Sequence, residues 1–170
     1  MAQPKRIKPG PGQESVWDYP RPPHVEPVHG HVTIALGGRL VADTTRAMRV
    51  LETSHPPAYY LPPEDFVAGA LVPAEGSSFC EFKGRAAYYD IVGGDVVRGD
   101  VVMPGAGWYY PIPSRGFEAI AGFVSVYPGR MDACTVDGET VTPQEGNFYG
   151  GWITASIVGP FKGASGTLGW

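Results

Sequence analysis

Nowhere in this chain does an apolar run approach the roughly 18 residues that a membrane-spanning helix needs. Cysteine is scarce. Cys80 and Cys134 stand far apart with no C-x-x-C pair, which leaves no zinc signature in the sequence. No apolar stretch follows the basic residues of the first six positions, so no secretory signal is read there, and two reduced thiols in a cytoplasmic protein are expected. His55 is the one histidine beyond residue 31, too few for a usual set of metal ligands. Excess positive charge is also missing. Residues 1–31 carry +1 and the remainder −5, for a net charge of −4, which argues against a partner of duplex nucleic acid. No G-x-x-x-x-G-K-[ST] phosphate loop, G-x-S-x-G elbow or G-x-G-x-x-G turn occurs.

Glycine and proline, by contrast, are abundant: 24 and 18 in 170 residues, or about a quarter of the chain. That density leaves little room for long helices, while 43% hydrophobic content is enough for one packed core. Seven prolines fall between Pro4 and Pro27, so residues 1–30 are expected to form an extended, partly disordered arm, with Trp17 and Tyr19 as its docking groups. Residues 31–170 are expected to form a single β-rich domain. His31-Val-Thr-Ile-Ala-Leu36, Gly37-Gly38 and Arg39–Asp43 predict a hairpin. Thr135-Val136, Asp137-Gly138 and Glu139–Thr142 predict a second. Cys80–Val92, Gly93-Gly94 and Asp95–Val97 suggest a third. One helix is predicted from a cap at Asp43 or Thr44 through Glu52, with Ala47, Val50 and Leu51 on one face, and a short turn at Pro62–Asp65. The fold class expected is mainly β: two packed antiparallel sheets with one or two short helices.

The two lysines of the expected domain both lie in Phe-Lys-Gly, at 82–84 and 161–163, read as reused local chemistry in preference to a decayed duplication of a half-domain. An ammonium is a compact donor suited to phosphate or carboxylate, and its pKa drops on burial; lysine is also a common guard of exposed strand edges. His55 stands before Pro56-Pro57 with Glu52 three positions earlier. That arrangement suits a general acid–base pair, and equally a histidine closing a helix C-terminus. Strand alternation across Cys80–Arg85 would turn Cys80 away from Lys83 and leave it a buried thiol, and Cys134 reads as core. Aromatic residues recur in adjacent pairs, such as Tyr59-Tyr60, Tyr88-Tyr89 and Tyr109-Tyr110, and outward-facing members could wall a binding site.

Four stretches in order, Glu52-Thr-Ser-His-Pro-Pro-Ala-Tyr-Tyr-Leu-Pro-Pro-Glu-Asp65, Cys80-Glu-Phe-Lys-Gly84, Phe148-Tyr-Gly-Gly-Trp-Ile-Thr154 and Gly159-Pro-Phe-Lys-Gly163 through Trp170, resemble the domain-of-unknown-function family 427. The family occurs in bacteria and fungi. The resemblance implies a β-rich fold over residues 31–170, and members sometimes carry a nucleotidyltransferase label. Positions matching its pattern are Glu52, His55, Pro56, Tyr60, Cys80, Lys83, Trp152, Lys162 and Trp170; Glu81 stands where the family usually has proline. Three functions fit the residues. The first is binding of a small anion such as a nucleotide, phosphate or carboxylate, by Lys83, Lys162 and Arg49 with Tyr60, Tyr88 and Trp152 as apolar wall. The second is an enzyme, a nucleotidyltransferase or another acid–base catalyst, with His55 and Glu52 as the pair and Lys83 stabilising developing charge. The third is a protein-interaction module using the proline-rich arm. The sequence implies no particular cofactor.

Overall fold

Paired glycines and Asp-Gly turns act where they stand in the sequence. In the computed structural model, which describes residues 4–146 and 148–170, both predicted hairpins form. The strands are β1 (Glu14–Ser15), β2 (His24–Pro27), β3 (Val32–Leu36), β4 (Arg39–Thr44), β5 (Met48–Leu51), β6 (Ala58–Tyr60), β7 (Leu71–Cys80) and β8 (Gly84–Asp95). They continue with β9 (Gly99–Tyr109), β10 (Val124–Val126), β11 (Ala133–Val136), β12 (Glu139–Thr140), β13 (Thr142–Pro143), β14 (Trp152–Ile153) and β15 (Ile157–Val158). Asp137 and Gly138 adopt φ of 49° and 80°, the left-handed pair that a tight hairpin turn between β11 and β12 requires.

The protein is mainly β. Two four-stranded antiparallel sheets, ordered β12-β11-β3-β4 and β10-β9-β8-β7, share one core in which Val32, Ile34, Leu36 and Val41 meet Ile91, Ala106, Val124 and Val126. A three-stranded sheet β2-β5-β6 and two small pairs complete it. Helical structure among the described residues is confined to four three-residue 3-10 turns, one of them Pro63–Asp65 as expected. Among the described residues, no helix is long and apolar enough to cross a membrane.

Three local expectations are corrected. The helix predicted through residue 52 is instead β5, the central strand of its sheet, paired with β2 (Val25 opposite Val50) and with β6. A central strand buries neighbouring residues on both faces, so Ala47, Val50 and Leu51 mimic helical spacing. The capping signal is real but serves a turn, in which the Arg46 N–H donates to Thr44 Oγ1 at 2.9 Å.

Gly93 and Gly94 lie within β8 rather than in a turn. A Cβ on Gly93 would overlap the Leu36 carbonyl, so glycine here allows two sheets to touch backbone to backbone. The chain reverses at Val96–Arg98, where Asp95 Oδ1 accepts from the Val97 and Arg98 N–H groups at 2.9 and 2.6 Å.

Finally, the segment expected to be a disordered arm is built into the fold from residue 14 onward; its first three residues lie outside the described residues. β1 pairs in parallel with β15, and β2 pairs with β5. Val16 is fully buried, and Trp17 and Tyr19 pack with Leu51 and Ile157.

Candidate functional site

Hydrogen bonds with the 16–21 segment shape the turn that follows β5. The Ser54 N–H donates to the Val16 carbonyl at 3.0 Å, the Thr53 N–H to Pro20 O at 3.2 Å, and Arg21 Nη2 to Thr53 O at 2.9 Å. Ser54 takes a left-handed φ of 72°. The tight turn brings Glu52 and His55 together, with Oε2 to Nε2 at 3.4 Å, beside a cleft of about 540 Å³.

The second contribution comes from the β7–β8 ribbon. Lys83 does not lie on a strand as expected; Glu81–Lys83 form the turn between β7 and β8, and the Ser114 N–H donates to the Lys83 carbonyl at 2.9 Å. The turn cancels the alternation on which the Cys80 expectation rested. Cys80 and Lys83 both line the cleft and interact through their side chains, and Cys80 is only half-buried. Cys134, by contrast, is core as expected, with its thiol pushed up to about 12 by burial.

Lys162 lines the same cleft, its N–H donating to the Ser54 carbonyl at 2.9 Å. The two Phe-Lys-Gly segments, far apart in sequence, thus deliver their lysines to one place. Lys83 Nζ sits 5.9 Å from the centre of the Tyr110 ring, and Lys162 Nζ 5.8 Å from that of Tyr149. Burial acts to lower the pKa of Lys83, but Tyr60, Cys80 and Glu52 outweigh it and raise it, so this ammonium stays charged. That reverses the idea of a burial-lowered lysine. Burial is the main cause that holds His55 down at about 4, helped by the charges of Lys162, Arg21 and Lys83. His55 is therefore neutral at physiological pH.

Tyr60 and Tyr88 also line the cleft. Trp108 Nε1–H donates to Tyr60 Oη at 3.2 Å, and Tyr88 Oη–H donates to Ser78 Oγ at 2.6 Å. Two expected residues are elsewhere. Arg49 is engaged with Glu14 at 2.8 Å and Glu26 at 2.5 Å, tying the N-terminal segment to β5. Trp152 is fully buried in the core, stacked on Tyr59 at 4.8 Å, with Nε1–H donating to Val126 O.

Sequence reasoning missed Arg21, which lies 3.4 Å from Glu52, and Gln144, which contacts both His55 and Lys162. Neither carries a motif; each is defined only by what the fold brings near it. Among the described residues, no three His, Cys, Asp or Glu side chains gather into a group that could hold a metal ion.

The sequence profile described as Domain of unknown function (DUF427) matches residues 24–137, about two thirds of the chain. The protein belongs to the DUF427 family. The matched region of this DUF427 chain holds Glu52, His55, Tyr60, Lys83 and Tyr88, whereas Gln144, Tyr149 and Lys162 complete the cleft from beyond it. No curated protein matches the chain.

Proposed function

We propose that this DUF427 protein binds a small organic anion in the cleft, its phosphate or carboxylate held by Lys83 and Lys162 and its flat or apolar body lying against the aromatic side chains. The observation that carries this reading is convergence: half of the chain's four lysines reach one cleft of about 540 Å³ lined by Tyr60, Tyr88, Trp108 and Tyr110. Charged donors in a partly dry, aromatic surrounding bind anions more strongly than the same groups in water. The test is a thermal-shift screen against nucleotides, sugar phosphates and small carboxylates, with and without magnesium. A ligand that raises the midpoint by several degrees in the native protein, and not in Lys83→Ala or Lys162→Ala, supports the reading. No shift for any anion defeats it.

One observation favours a second reading, an acid–base enzyme. Glu52 and His55 sit 3.4 Å apart on the same cleft, within reach of a ligand held by the lysines. Nucleotidyl transfer is the form that the family's label suggests. It predicts stabilisation by a nucleotide together with a divalent cation, and none by the nucleotide alone.

A further inference from the structure

Gln144 is a buried side chain whose amide has only one possible orientation. Its Oε1 accepts from the Gly151 N–H at 3.0 Å, and its Nε2 donates to the Lys162 carbonyl at 2.6 Å. Both partners are backbone groups of fixed polarity. A flipped amide would set N–H against N–H and oxygen against oxygen, so the assignment does not depend on telling nitrogen from oxygen by shape. The second hydrogen of Nε2 remains, and His55 Nδ1 lies 3.4 Å from that nitrogen. A donor can be met there only by a lone pair. The ring's other nitrogen, Nε2, faces Glu52 Oε2 at 3.4 Å, a carboxylate that can only accept while ionised.

We infer that Gln144 is a positioning residue that locks His55 in the tautomer with hydrogen on Nε2, the nitrogen that faces Glu52, and so removes His55 as a proton shuttle. Both ring nitrogens are then occupied within the protein. The two contacts of Glu52, with the Arg21 guanidinium and with the His55 ring, fall on Oε2, and Oε1 carries neither. In the acid–base reading, this leaves Glu52 as the member of the pair that can take a proton from a ligand, with His55 orienting it. The inference deepens that reading and rests on it for its functional meaning; the tautomer itself does not.

The surroundings act in the same direction. The groups facing the ring are Glu52 on its own turn, Arg21 from the N-terminal segment, Lys83 from the β7–β8 turn, Lys162 from the C-terminal loop and the edge-on Tyr149 ring at 5.2 Å. Three of these are cations, and all three disfavour an imidazolium. A second proton would also have to enter at Nδ1, against the Gln144 N–H.

Long-range ¹H–¹⁵N correlation spectra of histidine-labelled protein test this between pH 8 and 5, with His55→Gln identifying the signal. The expected result is protonated Nε2 and bare Nδ1 throughout, with no midpoint near the ordinary 6.5. In Gln144→Glu the amide N–H is replaced by an acceptor, and Nδ1 should become protonated, by a tautomer switch or by an upward shift of the titration. A hydrogen on Nδ1 in the native protein, a midpoint near 6.5, or no change in Gln144→Glu would overturn the inference. The native spectrum decides even if a variant does not fold. Titrating inorganic phosphate into protein labelled at lysine as well as at histidine separates the two claims. Loss of the expected Lys83 signal shifts, with the tautomer intact, defeats anion binding and leaves the lock standing.

Discussion

The cleft is lined by two regions that the molecule treats in opposite ways. The Glu52–His55 turn is pinned by backbone bonds to the Val16 and Pro20 carbonyls, by the Arg21 guanidinium, and by the Lys162 N–H donating to the Ser54 carbonyl. The Ser77–Phe79 stretch at the end of β7 is far less restrained. Ser77, Ser78 and Phe79 are exposed, Phe79 by 76%, and the side-chain bonds from Arg85 to Ser77 and Tyr88 to Ser78 lie in solvent. The pinned region carries the carboxylate–imidazole pair, whose chemistry depends on tenths of an ångström. The freer one carries apolar surface, which tolerates repacking. Rigidity sits where direction matters, and adaptability where only contact does.

Removing the brace should produce the largest effect. Trp17 packs under the turn, its Nε1–H donating to the Pro160 carbonyl at 2.9 Å. Trp17→Ala is expected to cost about 3–5 kcal/mol in urea unfolding, as truncation of a buried aromatic does. A loss below about 1 kcal/mol would show that the segment is not a brace.

The next effect is a pH dependence. The ordinary histidine pKa of 6.5 falls to about 4 in the folded protein, so the unfolded chain binds the extra proton more readily between these values. Stability from His55 is therefore full above pH 6.5 and is lost as the pH falls towards 4, by on the order of 3 kcal/mol. In His55→Gln, that part of the slope in unfolding free energy against pH should vanish. An unchanged slope would mean that other groups set it.

The smallest effect belongs to the Ser77–Phe79 stretch. Phe79→Ser should shift the urea midpoint by no more than about 0.5 kcal/mol equivalent, because the ring has little to lose. A larger loss would erase the contrast between the two regions.

What could be read from the sequence follows the same division between local and distant causes. The β3–β4 and β11–β12 turns were legible because Gly37-Gly38 and Asp137-Gly138 encode their own geometry. Lys83, Lys162, Glu52 and His55 stood out in the sequence as residue choices, though their convergence on one cleft was not legible there. Residues 48–51 resisted because their strand character depends on partners at 24–27 and 58–60. Arg49 and Trp152 carried suitable chemistry but were drawn into the Glu14–Glu26 network and the core. Gln144 gave no sign. Its role is fixed by Gly151, Lys162 and His55, which meet it only in the folded chain.

The parallel pairing of Glu14–Ser15 with Ile157–Val158 also bears on how the protein is made. On the ribosome, the first of these strands emerges long before the second exists. The β3–β4 and β8–β9 hairpins can close locally in the meantime, whereas a loop this long closes at a higher entropic cost. Val16, Trp17 and Tyr19 must then wait on the nascent chain without the Ile157 side of their cluster, as apolar surface open to solvent. The turn that carries Glu52 and His55 bonds to Val16 and to Lys162, so the cleft cannot be completed before the C-terminal loop is available.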